Sequence, residues 1–238
     1  YAKHDKHNRE DKQKHQIHIM IKNLIFDLGG VVITLDPEEA YRRFEELGIT
    51  DARQQMGVYG QTGIFREVED ATIDAETFCT KLAEQAKQKS TLFADEENPK
   101  YSFEQAKWAW MGYVKEVPLS RLANLLELRK NYKVYLLSNT NPFIMDWAHS
   151  KDFSGDGHPI GHYFDGVYCS YMLKDYKPSE SIFRKMADEL GILPEESIFV
   201  DDGINNVKAS ESVGMIGLHV EKDADWMEAL NDVLSQNM

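Results

Sequence analysis

The segment IKNLIFDLGGVVITLD, residues 21–36, constrains the fold of this chain more than any other stretch. It begins with an apolar run, LIF, with no polar residue between its members, which is typical of a strand covered on both faces in a parallel α/β sheet. The run ends at Asp27, and Gly29 and Gly30 allow a sharp turn beside it. Because ligands bind beyond the carboxyl ends of such strands, Asp27 either meets a ligand or metal there or only caps a turn.

After residue 116 the chain alternates between strand patterns and helix patterns. Helical stripes of leucine, isoleucine and methionine separate short apolar runs that stop at polar residues. This alternation predicts an α/β fold with a Rossmann-like parallel sheet core flanked by helices. The predicted strands that follow the opening one cover residues 133–137, 167–170, 197–200 and 215–220.

Residues 37–116 show helical patterns and no convincing strand. Asp36 and Pro37 fit the N-cap and the first position of a helix. We therefore predict that an all-helical cap, residues 37–116, is inserted into a core made of residues 21–36 and 117–238. Some cap residues are candidates for a pocket wall, although packing or exposure is the usual role of such side chains: Tyr59, Gln61, Phe65, Arg66, Trp108 and Trp110.

A formal net charge of -13 argues against a general surface for nucleic acid or anionic membranes, because both reward basic patches. Cys79 and Cys169 lie too far apart to indicate a disulfide framework or a zinc cluster, which favours a reducing compartment and a cytoplasmic protein. No segment approaches the roughly 20 apolar residues of a membrane span. We expect a monomer or a homodimer. Residues 1–20 form a polar, His-rich tail that we interpret as an expression tail.

Polar side chains follow four separate predicted strands or stand in the loops after them. In a parallel sheet the carboxyl ends of the strands share one edge, so these side chains are expected to converge on one pocket. The set contains an acid, a hydroxyl with an amide, a lysine and an acid pair: Asp27, Ser138 with Asn139, Lys177, and Asp201 with Asp202.

The residue types indicate a magnesium site for phosphate chemistry. Carboxylates without histidine or cysteine are hard oxygen ligands that suit Mg²⁺, and a backbone carbonyl near Gly29 is a further candidate ligand. Lys177 precedes a predicted helix, where a cation and helix amide groups together favour an anion. A carboxylate such as Asp27 can attack phosphorus when a metal and a lysine neutralise the charge.

The segments FDLGGVV, LLSNT, KPSESIF and FVDDGINNV resemble the ordered motifs of the haloacid dehalogenase superfamily, and the helical insertion resembles that family's cap. The resemblance extends from about residue 21 to the end. It implies an aspartyl-phosphate mechanism and Mg²⁺ as cofactor. The implied roles are nucleophile for Asp27, phosphate binding for Ser138, charge balance for Lys177, and metal binding for Asp202 with help from Asp201. We also expect Asn139, beside Ser138, to contact the substrate.

Position 29 departs from the family pattern. Most phosphatases of the family carry a general acid and base there, whereas this chain has Gly29, as in a branch of sugar-phosphate phosphatases with DLGN or DLGG in this motif. We expect a phosphatase of small phosphorylated metabolites, with sugar phosphates favoured and sugar 1-phosphates as one hypothesis, because an anomeric oxygen needs less protonation. The alternatives are a 2-haloacid dehalogenase and a binding or regulatory protein that has lost turnover.

Overall fold

The computed structural model describes residues 20–57, 60–93 and 95–237. Residues 1–19 of the predicted tail and Tyr59 therefore lie outside the described residues. The strands are β1 Asn23–Phe26, β2 Thr34–Leu35, β3 Met56–Gly57, β4 Gly60–Gln61, β5 Val114–Glu116, β6 Lys133–Ser138, β7 Gly166–Cys169, β8 Ser197–Asp201 and β9 Ile216–His219.

Eleven α-helices occur in the described part of the chain, together with three short 3-10 turns. The helices are α1 Pro37–Glu46, α2 Ala52–Gln55, α3 Gly63–Glu69, α4 Ala75–Lys89, α5 Phe103–Trp110, α6 Leu119–Leu128, α7 Pro142–Ala148, α8 Ser170–Leu173, α9 Glu180–Leu190, α10 Ile204–Ser212 and α11 Met227–Gln236. The 3-10 turns are Met111–Tyr113, Ile160–His162 and Pro194–Glu196.

Five strands form a parallel sheet in the order β7-β6-β1-β8-β9, which confirms the predicted Rossmann-like α/β core. Strand β1 lies at its centre, as its apolar run predicts. Leu24 and Phe26 pack into one apolar cluster, while Ile25 packs into a second cluster. Since neighbouring residues of a strand point to opposite faces, both faces of the sheet are covered by apolar packing. The central strand is therefore held rigidly, and so is the residue at its end.

The insertion between β2 and β5 is helical apart from one very short hairpin. Strands β3 and β4 pair in antiparallel fashion with only two residues each. This hairpin and strand β5, which also falls within residues 37–116, differ from the prediction of helices alone. The reason is their length, because two or three residues are too few to show an alternating pattern. The ends of the insertion lie side by side, because β2 pairs with β5.

The insertion packs firmly on the sheet domain. The ring of Phe143 in α7 lies 5.3 Å from that of Phe78 and 4.7 Å from that of Phe103, both in the insertion. Lys107 also pairs with Asp146 of α7 at 2.6 Å. One apolar cluster runs through both parts. The division into a core and a separate cap at residues 37–116 therefore stays a prediction. Within the described residues, no helix is both long and apolar enough to cross a membrane.

Candidate active site

Asp27 follows β1 directly, at the edge where the carboxyl ends of the parallel strands meet. Phe26 is in register with Val200 of β8, and the Asp27 N–H donates to the Val200 carbonyl at 2.9 Å. This register brings Asp27 beside Asp201, the last residue of β8. The Asp27 side chain is 13% exposed and lines a cavity. The end of β1 therefore presents a carboxylate to a space that a ligand can enter.

The glycines after Asp27 differ in what surrounds them. Gly30 has a φ of +77°, and a Cβ added there would lie 2.6 Å from Asp202 Oδ2, so that both its backbone and its surroundings require glycine. Gly29 has no such backbone requirement. A Cβ added at Gly29 would lie 3.0 Å from Leu35 Cδ1. An apolar side chain thus borders the place toward which an acid at position 29 would project.

Lys177 is buried at the sheet edge with its ammonium group between carboxylates. Its Nζ lies 2.9 Å from Asp27 Oδ1 and 2.6 Å from Asp201 Oδ2. Burial by itself lowers the pKa of Lys177, but the negative charges of Asp201 and Asp27 outweigh it and raise the pKa above its ordinary value. Lys177 is therefore a permanent positive charge that holds the Asp27 carboxylate in place.

Asn139, in the loop after β6, fixes the backbone of Lys177. Its Nδ2 donates to the Lys177 carbonyl at 2.9 Å, and its Oδ1 accepts from the Lys177 N–H at 2.9 Å. Both ends of the amide are thus bonded to the Lys177 backbone, so its side chain positions Lys177. Asn139 also lines the cavity, and its contact with substrate stays a prediction. Ser138 lines the cavity, and within the described part of the chain its hydroxyl makes only a long 3.4 Å bond to the Asn139 carbonyl. The Ser138 hydroxyl is therefore available for a phosphoryl oxygen.

The two acids at the carboxyl end of β8, Asp201 and Asp202, lie in different environments. Asp201 is fully buried, and besides Lys177 it accepts hydrogen bonds from Gly203 N at 2.6 Å and from Asn206 Nδ2 at 3.1 Å. Its oxygens are thus well supplied with donors. Asp202 instead lines the cavity. This difference favours Asp202 as the residue that meets a ligand and Asp201 as the residue that holds Lys177 and the loop.

A divalent cation fits this carboxylate group. One carboxylate oxygen from each of Asp27, Asp201 and Asp202 lies within 4.8 Å of the other two. Within the described residues, no other group of three or more histidine, cysteine or acidic side chains comes this close together. Gly29 lines the same cavity, with its carbonyl as a further candidate. Hard oxygen ligands of this kind suit Mg²⁺, which binds through one or two carboxylates together with substrate phosphate.

Lys177 does not fully offset the effect of burial on the pKa values of Asp27 and Asp202. Burial raises the pKa of Asp27 to about 7, and the charges of Asp201 and Asp202 add to the rise against the opposing effect of Lys177. Burial, followed by the charge of Asp201, raises the pKa of Asp202 to about 6. A cation bound among these carboxylates would lower both pKa values and keep the acids ionised near neutral pH.

A cavity of about 500 Å³ lies between this charged edge and the insertion. We call the charged side, Asp27, Lys177 and Asp202, the floor. We call the side formed by the insertion the roof; its polar members are Gln61, Glu69, Trp110 and Tyr113.

The candidate wall residues of the insertion have different positions in the structure. Gln61 and Trp110 line the cavity. Phe65 is buried against other aromatic rings, and Trp108 is 40% exposed. The Arg66 guanidinium lies 3.4 Å from the centre of the Tyr176 ring.

Sequence reasoning missed several residues that line the cavity. Glu69 stands at the end of α3 on the same face as the apolar residues Phe65 and Val68. An acid on the apolar face of a helix was the signal available in the sequence. Tyr176 precedes Lys177 and could have been suggested by that proximity. Other lining residues, among them Tyr113, Asn141, His219 and Lys222, carry no local signal in the sequence.

The comparison with known proteins agrees with this geometry. A family model described as haloacid dehalogenase-like hydrolase matches residues 21–214. The chain is also 40% identical over 216 residues to a D-ribitol-5-phosphate phosphatase from Bacteroides thetaiotaomicron, and the match covers 91% of this chain and 100% of that protein.

Solved structures give the same result. A HAD-like family hydrolase from Porphyromonas gingivalis superposes with a TM-score of 0.81 at 33% identity, covering 90% of this chain and 98% of that one. A HAD family enzyme from Bacteroides thetaiotaomicron, in complex with magnesium and inorganic phosphate, has a TM-score of 0.74 at 31% identity and covers 88% and 98%. The sheet edge, the ordered motifs and these matches together show that the chain belongs to the haloacid dehalogenase-like hydrolase family.

Proposed function

We propose that this protein is a Mg²⁺-dependent phosphatase that hydrolyses the terminal phosphate of an open-chain sugar alcohol through an aspartyl-phosphate on Asp27. The observation that carries the proposal is the floor of the cavity. There the Asp27 carboxylate lies 2.9 Å from the buried ammonium of Lys177, in a group of three acids. A carboxylate held in this way, beside a lysine and a cation site, is suited to attack phosphorus.

The substrate class follows from the similar protein that is named for its substrate, D-ribitol 5-phosphate. Ribitol is an open-chain polyol, and its 5-phosphate is an ester of a primary alcohol. The lack of an acid at Gly29 suggested a sugar 1-phosphate as substrate. That hypothesis is untested, and the substrate of this relative does not favour it. We therefore rank pentitol phosphates first, other sugar phosphates second and sugar 1-phosphates after them.

The chemistry proceeds in two displacements at phosphorus. Asp27 Oδ2 attacks the phosphorus atom, and the bond between phosphorus and the alcohol oxygen breaks. The leaving oxygen takes its proton from water, since Gly29 carries no acid, and the hydroxide formed is neutralised by a proton released in the second displacement. A water molecule then attacks the phosphorus of the aspartyl-phosphate. The bond to Asp27 breaks, and the carboxylate is regenerated as inorganic phosphate leaves with the protons of the water.

The surrounding residues position the phosphoryl group. Ser138 donates its hydroxyl to one phosphoryl oxygen, and Lys177 keeps the attacking carboxylate oriented through its 2.9 Å contact with Asp27 Oδ1. Asp27, Asp202 and the Gly29 carbonyl would hold Mg²⁺, with Asp201 behind them. When bound, the metal neutralises charge on the phosphoryl oxygens and on the carboxylates.

The alternatives from the sequence fit the floor less well. A 2-haloacid dehalogenase attacks carbon and needs no metal, whereas the three acids here lie close enough together to hold a cation. A binding protein without turnover would need neither the buried lysine beside Asp27 nor a free carboxylate at the cavity. We also propose that residues 37–116 act as a cap that sets specificity, because they supply the roof of the cavity.

The test is release of inorganic phosphate from a panel of substrates, with Mg²⁺ or with EDTA. D-Ribitol 5-phosphate, the stereoisomeric pentitol phosphates, ribose 5-phosphate and glucose 1-phosphate form a suitable panel. We expect Mg²⁺-dependent release that is fastest with a pentitol phosphate. Equal rates in EDTA would contradict the metal role, and a preference for glucose 1-phosphate would replace the pentitol by a sugar 1-phosphate.

A further inference from the structure

The loop after β9 places a second lysine at the cavity. Lys222 lines the cavity three residues beyond the end of β9, and it is partly exposed. Of the two lysines in the cavity lining, Lys177 is paired with Asp27 and Asp201, whereas Lys222 forms no ion pair within the described part of the chain. No arginine of the described residues lines the cavity. Lys222 is therefore the lysine whose charge remains available to a ligand.

Hydrogen bonds of the neighbouring Asp223 fix the position of this loop. The Asp223 N–H donates to the Gly30 carbonyl at 2.8 Å, and the Asp223 carboxylate accepts from the Leu35 N–H at 3.3 Å. The buried Arg121 guanidinium donates to the Asp223 carbonyl. Asp223 has a φ of +63°, which is uncommon for residues other than glycine and is kept here by these bonds. The loop thus holds the backbone of Lys222 beside the glycine turn.

The side chain of Lys222 runs toward Asp202. A Cβ added at Gly30 would lie 3.2 Å from Lys222 Cγ and 2.6 Å from Asp202 Oδ2, so the lysine stem and the carboxylate lie against the same glycine. The charge of Lys222 also acts on this carboxylate. Burial and Asp201 raise the pKa of Asp202, while Lys177 and Lys222 act against that rise. The ammonium group of Lys222 is therefore near the floor without being paired to it.

The charges of the floor leave no cation for an incoming phosphate. Asp27, Asp201 and Asp202 carry three negative charges when ionised, and Lys177 offsets one of them. A bound Mg²⁺ would offset the other two. A phosphate ester then brings about two further negative charges near pH 7, into a protein whose formal net charge is -13. Lys222 is the lysine of the cavity lining that is left to balance them.

Ser138 and Lys222 lie on opposite sides of Asp27. In the sheet order β7-β6-β1-β8-β9, Ser138 ends β6 on one side of β1, and Lys222 follows β9 on the other side. A phosphoryl group in line with Asp27 would therefore meet the Ser138 hydroxyl on one side and the Lys222 ammonium group on the other. A lysine ammonium offers three donors on a flexible stem, which suits the oxygens of a phosphate group.

We propose that Lys222 is a phosphate-binding residue, whose ammonium group donates to a nonbridging oxygen of the substrate phosphate and sets how tightly phosphorylated ligands are held. The proposal rests on the proposed function and deepens it, since Lys222 lies in none of the four ordered motifs. Lys177 orients the nucleophile, and Lys222 holds the group that the nucleophile attacks.

The test is binding of inorganic phosphate, measured by titration calorimetry with Mg²⁺ at constant ionic strength. Lys222→Met keeps the length of the stem and removes the charge, so we expect the Kd for phosphate to rise at least about tenfold. Lys222→Arg keeps the charge and should stay within about threefold of wild type. The KM for D-ribitol 5-phosphate should rise in Lys222→Met by a similar factor, while kcat changes less than about threefold, because the charge holds the phosphate before and during the reaction.

Lys208→Met is the matched control, because Lys208 is exposed on α10 and does not line the cavity. It removes the same charge and should change neither the Kd nor the KM by more than about twofold. An equal rise in the Kd of both Met variants would mean that only the overall charge matters. That result, or an unchanged Kd in Lys222→Met, would overturn the assignment of Lys222 and leave the phosphatase intact.

The proposed function fails in a different way. If the wild-type protein released no phosphate from any ester, while Lys222→Met still weakened the binding of inorganic phosphate, the phosphatase would be contradicted and the phosphate-binding role of Lys222 would be supported.

Discussion

The floor and the roof of the cavity differ in charge and in origin. The floor carries ionic groups, Asp27, Lys177 and Asp202, that come from the ends of parallel strands or the loops after them. The roof carries mostly neutral donors and acceptors, such as Trp110 and Gln61, from helices and a hairpin of the insertion. Under the proposed function, bond breaking takes place at the floor, and the insertion faces the chain attached to the phosphate.

The largest expected effect comes from removing the floor nucleophile. Asp27→Asn keeps the size of the side chain but cannot form the acyl phosphate, so phosphate release should fall at least about 10³-fold for every substrate, polyol or not. The measurement is single-substrate kinetics on D-ribitol 5-phosphate and on pentyl phosphate. A loss confined to one of these would break the assignment of chemistry to the floor.

Substitutions of the two acids at the end of β8, Asp201 and Asp202, should have different effects, one on metal binding and the other on stability. Asp202→Asn should raise the Mg²⁺ concentration for half-maximal activity at least about tenfold, because Asp202 faces the cavity. Asp201→Asn should instead lower the free energy of unfolding by about 3 kcal/mol, since the buried ammonium of Lys177 loses its 2.6 Å partner.

Metal titrations of activity and urea denaturation measure these effects. If Asp201→Asn raised the Mg²⁺ requirement more than Asp202→Asn did, the two acids would have the opposite roles.

The raised pKa of Glu69, in the roof, predicts how the free energy of unfolding depends on pH. Burial raises its pKa from the ordinary 4.5 to about 7, while Tyr176 and Asn141 act in the opposite direction. The folded protein therefore holds this proton more tightly than the unfolded chain does. Stability from this group is fully present below pH 4.5 and is lost as the pH rises through 7.

Glu69→Gln removes that loss. The free energy of unfolding of the variant, relative to wild type, should increase by up to about 3 kcal/mol between pH 4.5 and pH 8. Urea denaturation at several pH values measures the difference. A relative stability that falls over this range would show that Glu69 is ionised more easily in the folded protein, and the roof would then resemble the floor in charge.

The smallest effect is expected at Gly29, where the floor lacks an acid. Wild-type rates on aryl phosphates should depend steeply on the pKa of the leaving group, because no acid at position 29 protonates it. Gly29→Asp alone should change kcat/KM by less than about tenfold, because Leu35 borders the new side chain. Adding Leu35→Ala should flatten the dependence. A wild-type rate that does not vary with leaving-group pKa, with phosphoryl transfer rate-limiting, would show that another residue supplies the proton.

The strand ends were predictable because a parallel sheet imposes a simple rule. Strands that alternate with helices run in one direction, so the residues after their carboxyl ends must share an edge. Local patterns therefore predict that Asp27, Ser138, Lys177 and the acids at the end of β8 share one edge. The hairpin β3–β4 was not predictable in this way, since its strands contain two residues each.

The sequence by itself determined the α/β core, the family and the composition of the floor, because each depends on patterns within short stretches of chain and on their order. Only the tertiary structure decided that Asn139 holds Lys177, that Leu35 borders Gly29, and that Trp110 and Glu69 line the cavity. These relations join residues from 6 to 107 positions apart, as from Gly29 to Leu35 and from Glu69 to Tyr176. They depend on how the loops at the sheet edge pack against one another and against the insertion, and no local pattern of apolar and polar residues specifies that packing.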